Sequence, residues 1–199
     1  MKALSQLAVV SVLISALASS SCNSSSDSES ASGGTNHPFE GTWSGTVNCD
    51  ATVNDNGSES SESGPSSLSF VFDDSGDMVL VLGGSNRSLE EQGQEITTQE
   101  SDGSILVTTV NVRTVSDSAV SYTVGSVSDK TQADSSSNFS IQAIQSSAVQ
   151  MTLGSDTSKA TVTFSSESDE TTTFSSSFGG GVTQKLTQVT CTGELSKSR

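Results

Sequence analysis

The chain has 199 residues, 23 of them Asp or Glu against 8 Lys or Arg, and a net charge of −15. That balance argues against nucleic-acid binding, which needs Lys and Arg to displace counterions from phosphates, and against an electrostatic hold on anionic lipid headgroups. With 46 Ser, 22 Thr and only 31% hydrophobic residues, the core must be thin and assembled from short apolar runs.

The first element is a leader. Lys2 supplies a positive start, and residues 7–18 form an apolar run of twelve. That length suits a signal-peptide core and is too short to span a bilayer. Two cleavage sites compete. Ala16-Leu17-Ala18 fits the small-x-small pattern whose cleavage releases a secreted product. Ser19-Ser20-Ser21-Cys22 instead places a cysteine just past the apolar run, with Ser19 where Leu is usual. This second arrangement resembles the bacterial lipoprotein leader. The resemblance implies that residues 1–21 are removed and that Cys22 becomes a lipid-bearing first residue. With Asn23 rather than Asp after it, the resemblance implies an outer-membrane destination and membrane attachment through the N-terminal lipid. Residues 22–37 then comprise the lipidated cysteine and a flexible Ser-rich tether, because nothing in residues 23–36 is apolar and larger than Ala.

Residues 38–199 read as one β domain. In chain order the candidate strands are 42–49, 67–72, 78–82, a short one within 89–98, 104–114, 119–127, 138–144, 149–153, 160–164, 171–174 and 182–191. About 8–11 strands with no helix between them imply antiparallel pairing, since parallel pairs need long crossovers. The expected fold is all-β, a single antiparallel barrel or a sandwich. The clearest hairpin joins Leu68, Phe70 and Phe72, alternating on one face, to Met78 through a turn in which Gly76 takes the left-handed position. Leu106, Val110 and Val112 share a face, with Thr108 between them; Phe139, Ile141 and Ala143 line another strand, and Ala160, Val162 and Phe164 a third. The acidic, Ser-rich residues 50–66 read as a long exposed loop, and Gly179-Gly180-Gly181 as a turn before the last strand. That glycine run matches no phosphate-cradling motif.

There are three cysteines. If Cys22 carries lipid, Cys49 and Cys191 remain as a pair. Cys49 shares strand parity with Trp43 and Val47, and Cys191 lies on the last strand with Val189. A Cys49–Cys191 disulfide linking the first and last strands is therefore expected. Closing a loop of that length stabilises by about 4–5 kcal/mol in the chain-entropy model.

Phe39-x-Gly41-x-Trp43-x-Gly45 on the first strand resembles the Gly-x-Trp opening of lipocalin-type barrels. The resemblance implies that Trp43 plugs a closed end and that a basic residue from near the last strand covers it. Lys185, on that strand, and Arg199, at the terminus, are the candidates here. It also implies a cup for a small apolar ligand, with no lining residues identified.

Residues that could carry chemistry are few. The single histidine, His37, sits at the junction of tether and domain and reads as an incidental surface residue, because flexible segments hold catalytic geometry poorly. Asp73, Asp74 and Asp77 crowd one turn, and Asp50, Asp55 and Glu59 share a loop. Both groups depart from the twelve-residue calcium-loop pattern, and aspartates in hairpin turns mostly serve the turn. No catalytic residue, metal ligand or cofactor is assigned. The function expected is that of a non-enzymatic, lipid-anchored extracytoplasmic β-domain with an envelope structural, adhesion or interaction role, its partner an envelope protein. The alternative is a lipocalin-like carrier; a hydrolase using the acidic turns ranks last.

Overall fold

The computed structural model describes residues 37–82, 84–100, 103–133, 137–176 and 179–198. Cys22, the leader, the tether up to residue 36 and Arg199 lie outside them. Among the described residues ten strands follow one another: β1 (Gly41–Asp55), β2 (Ser58–Phe72), β3 (Met78–Leu82), β4 (Ser85–Ser88), β5 (Glu95–Gln99), β6 (Ile105–Val115), β7 (Ala119–Ala133), β8 (Ser137–Leu153), β9 (Lys159–Ser176) and β10 (Gly179–Lys197). They form one antiparallel sheet in the order β4-β3-β2-β1-β10-β9-β8-β7-β6-β5. The first and last strands are thus neighbours at the centre, and the Cys49–Cys191 disulfide joins them in register.

The two margins of the sheet meet. Met78 N donates to Tyr122 Oη at 3.2 Å, linking the start of β3 to β7. Gln94 Nε2 donates to the Ser88 carbonyl at 3.1 Å, linking the two edge segments. Leu89, between them, is fully buried. The sheet is therefore curled on itself, and alternation puts one face of each strand inside.

Only one half of that interior is packed. Trp43 and Val47 from β1, Leu68, Phe70 and Phe72 from β2, Tyr122 from β7, Met151 from β8, Phe164 from β9 and Leu195 from β10 all belong to one buried cluster. The pairing register sets Cys49, Cys191, Phe164, Val149 and Tyr122 side by side on one rung. Two rungs further along the same face the series reads Val53, Thr187, Ser168, Gln145 and Ser126. All but Val53 in that series are polar and gain nothing from burial, so the core ends there and the strands continue as a sheet wetted on both faces.

The strands are longer than the apolar pattern implies. Residues 50–66 are not a loop: they complete the β1–β2 hairpin, which turns at Asn56 (φ 51°) and Gly57 (φ 87°). Both central residues have positive φ, as a two-residue hairpin turn matched to strand twist requires, and Gly57 N donates to Asn54 Oδ1 at 2.9 Å. The segments 138–144 and 149–153 are one strand, β8, and 160–164 and 171–174 likewise merge into β9. The Gly179-Gly180-Gly181 run opens β10 rather than preceding it. A bulge between Val110 and Val112 separates residues expected on one face: Val110 is fully buried and Val112 is 40% exposed. The extra residue re-aims everything after it.

Candidate functional site

The packed end is finished by the lead-in segment. Trp43 is fully buried and donates from Nε1 to the Phe39 carbonyl at 2.7 Å. The Phe39 ring lies 5.7 Å from both Trp43 and Phe72. Lys197 sets its Nζ 5.9 Å from the centre of the Trp43 ring and donates to the Pro38 carbonyl at 3.1 Å. One ammonium thus ties the last strand to both the indole face and the lead-in backbone. The basic residue over Trp43 is therefore Lys197. Lys185 lies in the open half, opposite Asp55 and Glu170. Thr192-Gly193-Glu194 reads as a strand end, so the sequence pattern does not carry the last strand as far as Lys197. Instead Gly193 continues β10 beside Val47, whose side chain fills the place of a Cβ.

His37 is more than a surface residue. Its backbone N donates to Asp74 O at 3.2 Å, its Nδ1 accepts from Phe39 N at 3.3 Å, and its ring stacks on Phe39 at 6.0 Å. The ring occupies the space that a Cβ on Gly76 would need, and Gly76 has φ +80°. Only glycine meets both demands.

Asp77 is 4% exposed and latches the curled sheet shut. Its Oδ1 accepts from Arg113 Nη2 at 2.6 Å, Arg113 Nε at 2.7 Å and Tyr122 Oη at 2.9 Å. Burial works against the Arg113 charge, yet the bonds to Asp77 prevail and its pKa is raised. Burial, reinforced by Asp77, pushes the Tyr122 phenol well above the usual range. Oδ1 of Asp77, with three donors on it, is committed to closing the sheet.

The neighbouring aspartates are similarly engaged. Asp73 Oδ1 accepts from Ser75 N and Asp77 N at 3.0 and 2.9 Å, and Oδ2 accepts from the Ser88 hydroxyl. Asp74 takes the Ser75 hydroxyl. In the other acidic group, Asp50 and Glu59 share the outer face while Asp55, by strand parity, belongs to the inner one. Among the described residues no three His, Cys, Asp or Glu side chains gather to hold a metal ion.

The open half has two contrasting faces. Inside, Gln145 donates to Ser147 and Ser166 at 3.3 and 3.0 Å, and the two serine hydroxyls are 3.0 Å apart. Further out, the cross-strand neighbours Phe139 and Phe174 are 37% and 47% exposed. The Phe174 ring covers the place of a Cβ on Gly181. Outside, Val127 and Ile144 are paired neighbours, with Ile105 close by on β6. A shallow depression of about 440 Å³, lined by Asn54, Asn56, Gly57, Val182, Gln184 and Leu186, lies beside the β1–β2 turn. It is the product of that turn: Asn56 N donates to Gln184 O, and Gln184 N to Asn56 Oδ1.

Comparison with protein-family models, curated proteins and solved structures found no match.

Proposed function

We propose that this chain is a non-enzymatic, lipid-anchored extracytoplasmic interaction domain, carried on the outer membrane by Cys22. The observation that carries the reading is where the tether joins the fold. His37 and Pro38 are fastened to the packed end by Asp74 and Lys197, and the long strands run away from that end. Fifteen residues of β1, at about 3.3 Å each, carry the Asn56-Gly57 turn roughly 45–50 Å from the junction. An anchored copy would hold its stable end toward the membrane and offer the long open half outward. The disulfide suits an oxidising compartment.

One observation favours the carrier reading: Trp43 covered by Lys197 at a closed end, as the lipocalin resemblance implies. The inner face counts against it. The interior is filled by Phe70, Met151 and Phe164 at the packed end and lined by Ser147, Ser166 and Gln145 above it, whereas pockets for small apolar ligands are predominantly apolar. Two measurements separate the readings. Mass spectrometry of the mature protein should find an acylated N-terminal Cys22, and a product beginning at Ser19 would overturn the anchor. Native mass spectrometry of protein isolated from cells should show no bound apolar molecule; a stoichiometric one would establish the carrier instead.

A further inference from the structure

Strand β2 is paired along all of its residues on one side and at two positions on the other. β1 matches it from Asp55↔Ser58 to Gly41↔Phe72, while β3 meets it only at Val71 and Phe72. Backbone N–H and C=O groups alternate sides along an antiparallel strand. From Ser58 to Phe70, then, every second residue points its backbone groups away from β1, with no strand pairing among the described residues to receive them. Residues 58–65 are all exposed, and their side chains are short apart from Glu59 and Glu62. Among the described residues nothing bulky stands over the edge, and β1 already holds it extended.

The charge along the free edges is one-sided. β2 contributes Glu59 and Glu62, the β4–β5 connection Glu90 and Glu91, and β5 Glu95, with Glu100 immediately after it. Arg87, on β4, is the only basic residue from Ser58 to Glu100. A second copy approaching edge to edge would bring carboxylates against carboxylates, which is destabilising. The same charges attract a segment rich in Lys or Arg, so they select the partner as well as repel the copy. Pro65 limits the usable length, because it has no N–H to give to an added strand.

We propose that the free edge of β2, residues 58–64, accepts an extended cationic segment of a partner protein as an added strand. Main-chain hydrogen bonds would supply the affinity and the glutamates the preference for positive charge. This names the partner class for the interaction role above and rests on that reading for its setting. It is tested on purified protein, so its failure leaves the anchor at Cys22 standing.

The probe is a fluorescent twelve-residue peptide alternating Lys and Thr, compared with a peptoid of equal length and charge that lacks every backbone N–H. The peptide should bind at least about tenfold more tightly than the peptoid by fluorescence anisotropy. On binding, amide exchange should slow at residues 58–64. E59Q/E62Q should weaken the peptide several-fold while leaving thermal unfolding unchanged, since both side chains are exposed. Equal affinity for peptide and peptoid would reduce the contact to bare charge attraction and overturn the proposal. So would undetectable binding, protection elsewhere on the sheet, or a dimer in sedimentation that protects residues 58–64 by itself.

Discussion

Replacing both Cys49 and Cys191 by Ala removes the one covalent link across the seam where the sheet's first and last strands meet. The cysteines are 142 residues apart in the chain, and releasing a loop of that size gives the unfolded chain an entropy worth about 5 kcal/mol in the chain-entropy model. Cys191 is fully buried, so losing its sulfur also leaves a small void costing about 1 kcal/mol. The β1–β10 ladder on either side of the bond remains, and native pairing should survive. The expected loss of about 5–6 kcal/mol is a large part of the 5–15 kcal/mol that a domain typically has. Urea unfolding followed by Trp43, the only tryptophan, measures it directly. The m value should rise because the uncrosslinked unfolded chain exposes more surface. A loss below about 2 kcal/mol with m unchanged would refute the reasoning and mean that the unfolded chain stays compact without the link.

Three other outcomes follow from the packed end. Tyr122 has its pKa raised on folding, so its contribution is complete below about pH 10 and declines above it; while the unfolded phenol ionises and the folded one does not, stability should fall by about 1.4 kcal/mol per pH unit, and Tyr122→Phe should flatten that alkaline slope in pH-dependent unfolding. Lys197→Ala should cost about 1–2 kcal/mol through the lost contact with Trp43 and the lost bond to Pro38, and Trp43 emission should shift to the red as the lead-in segment loosens. Gly76→Ala should cost more than about 1 kcal/mol, because it combines a left-handed φ with a Cβ inside the His37 ring; adding His37→Ala should recover the steric part alone, so full recovery in the double variant would show that the backbone conformation is cheap.

The elements legible in the sequence were those where apolar and polar residues contrast. Leu68, Phe70 and Phe72, and Ala160, Val162 and Phe164, alternate cleanly and are buried. Cys49 and Cys191 could be paired by setting Cys22 aside for lipid and then from parity and chain position, and the disulfide joins them. The outer halves of the same strands were hidden because both of their faces are polar. With Ser or Glu on either side, 58–66 carries no period to read, and the Asn-Gly turn that pairs it with β1 was the one local signal available. The bulge at Asn111 left no mark, because Val110 and Val112 are the same residue type in opposite surroundings. Asp77 read as a turn residue; its bonds to Arg113 and Tyr122 span 36 and 45 residues, and no local pattern announces a partner so distant.

Ser198 donates its backbone N–H to Thr42 O at 2.7 Å, so the described fold begins and finishes at one place. A reporter joined to the end of β10 would be held beside the lead-in segment. Spliced between Asn56 and Gly57, where both residues are exposed, the same reporter would ride at the opposite extremity. If the chain is anchored through Cys22 as proposed, antibody access to two such tagged proteins on intact cells would give the orientation of the molecule without any knowledge of what it binds.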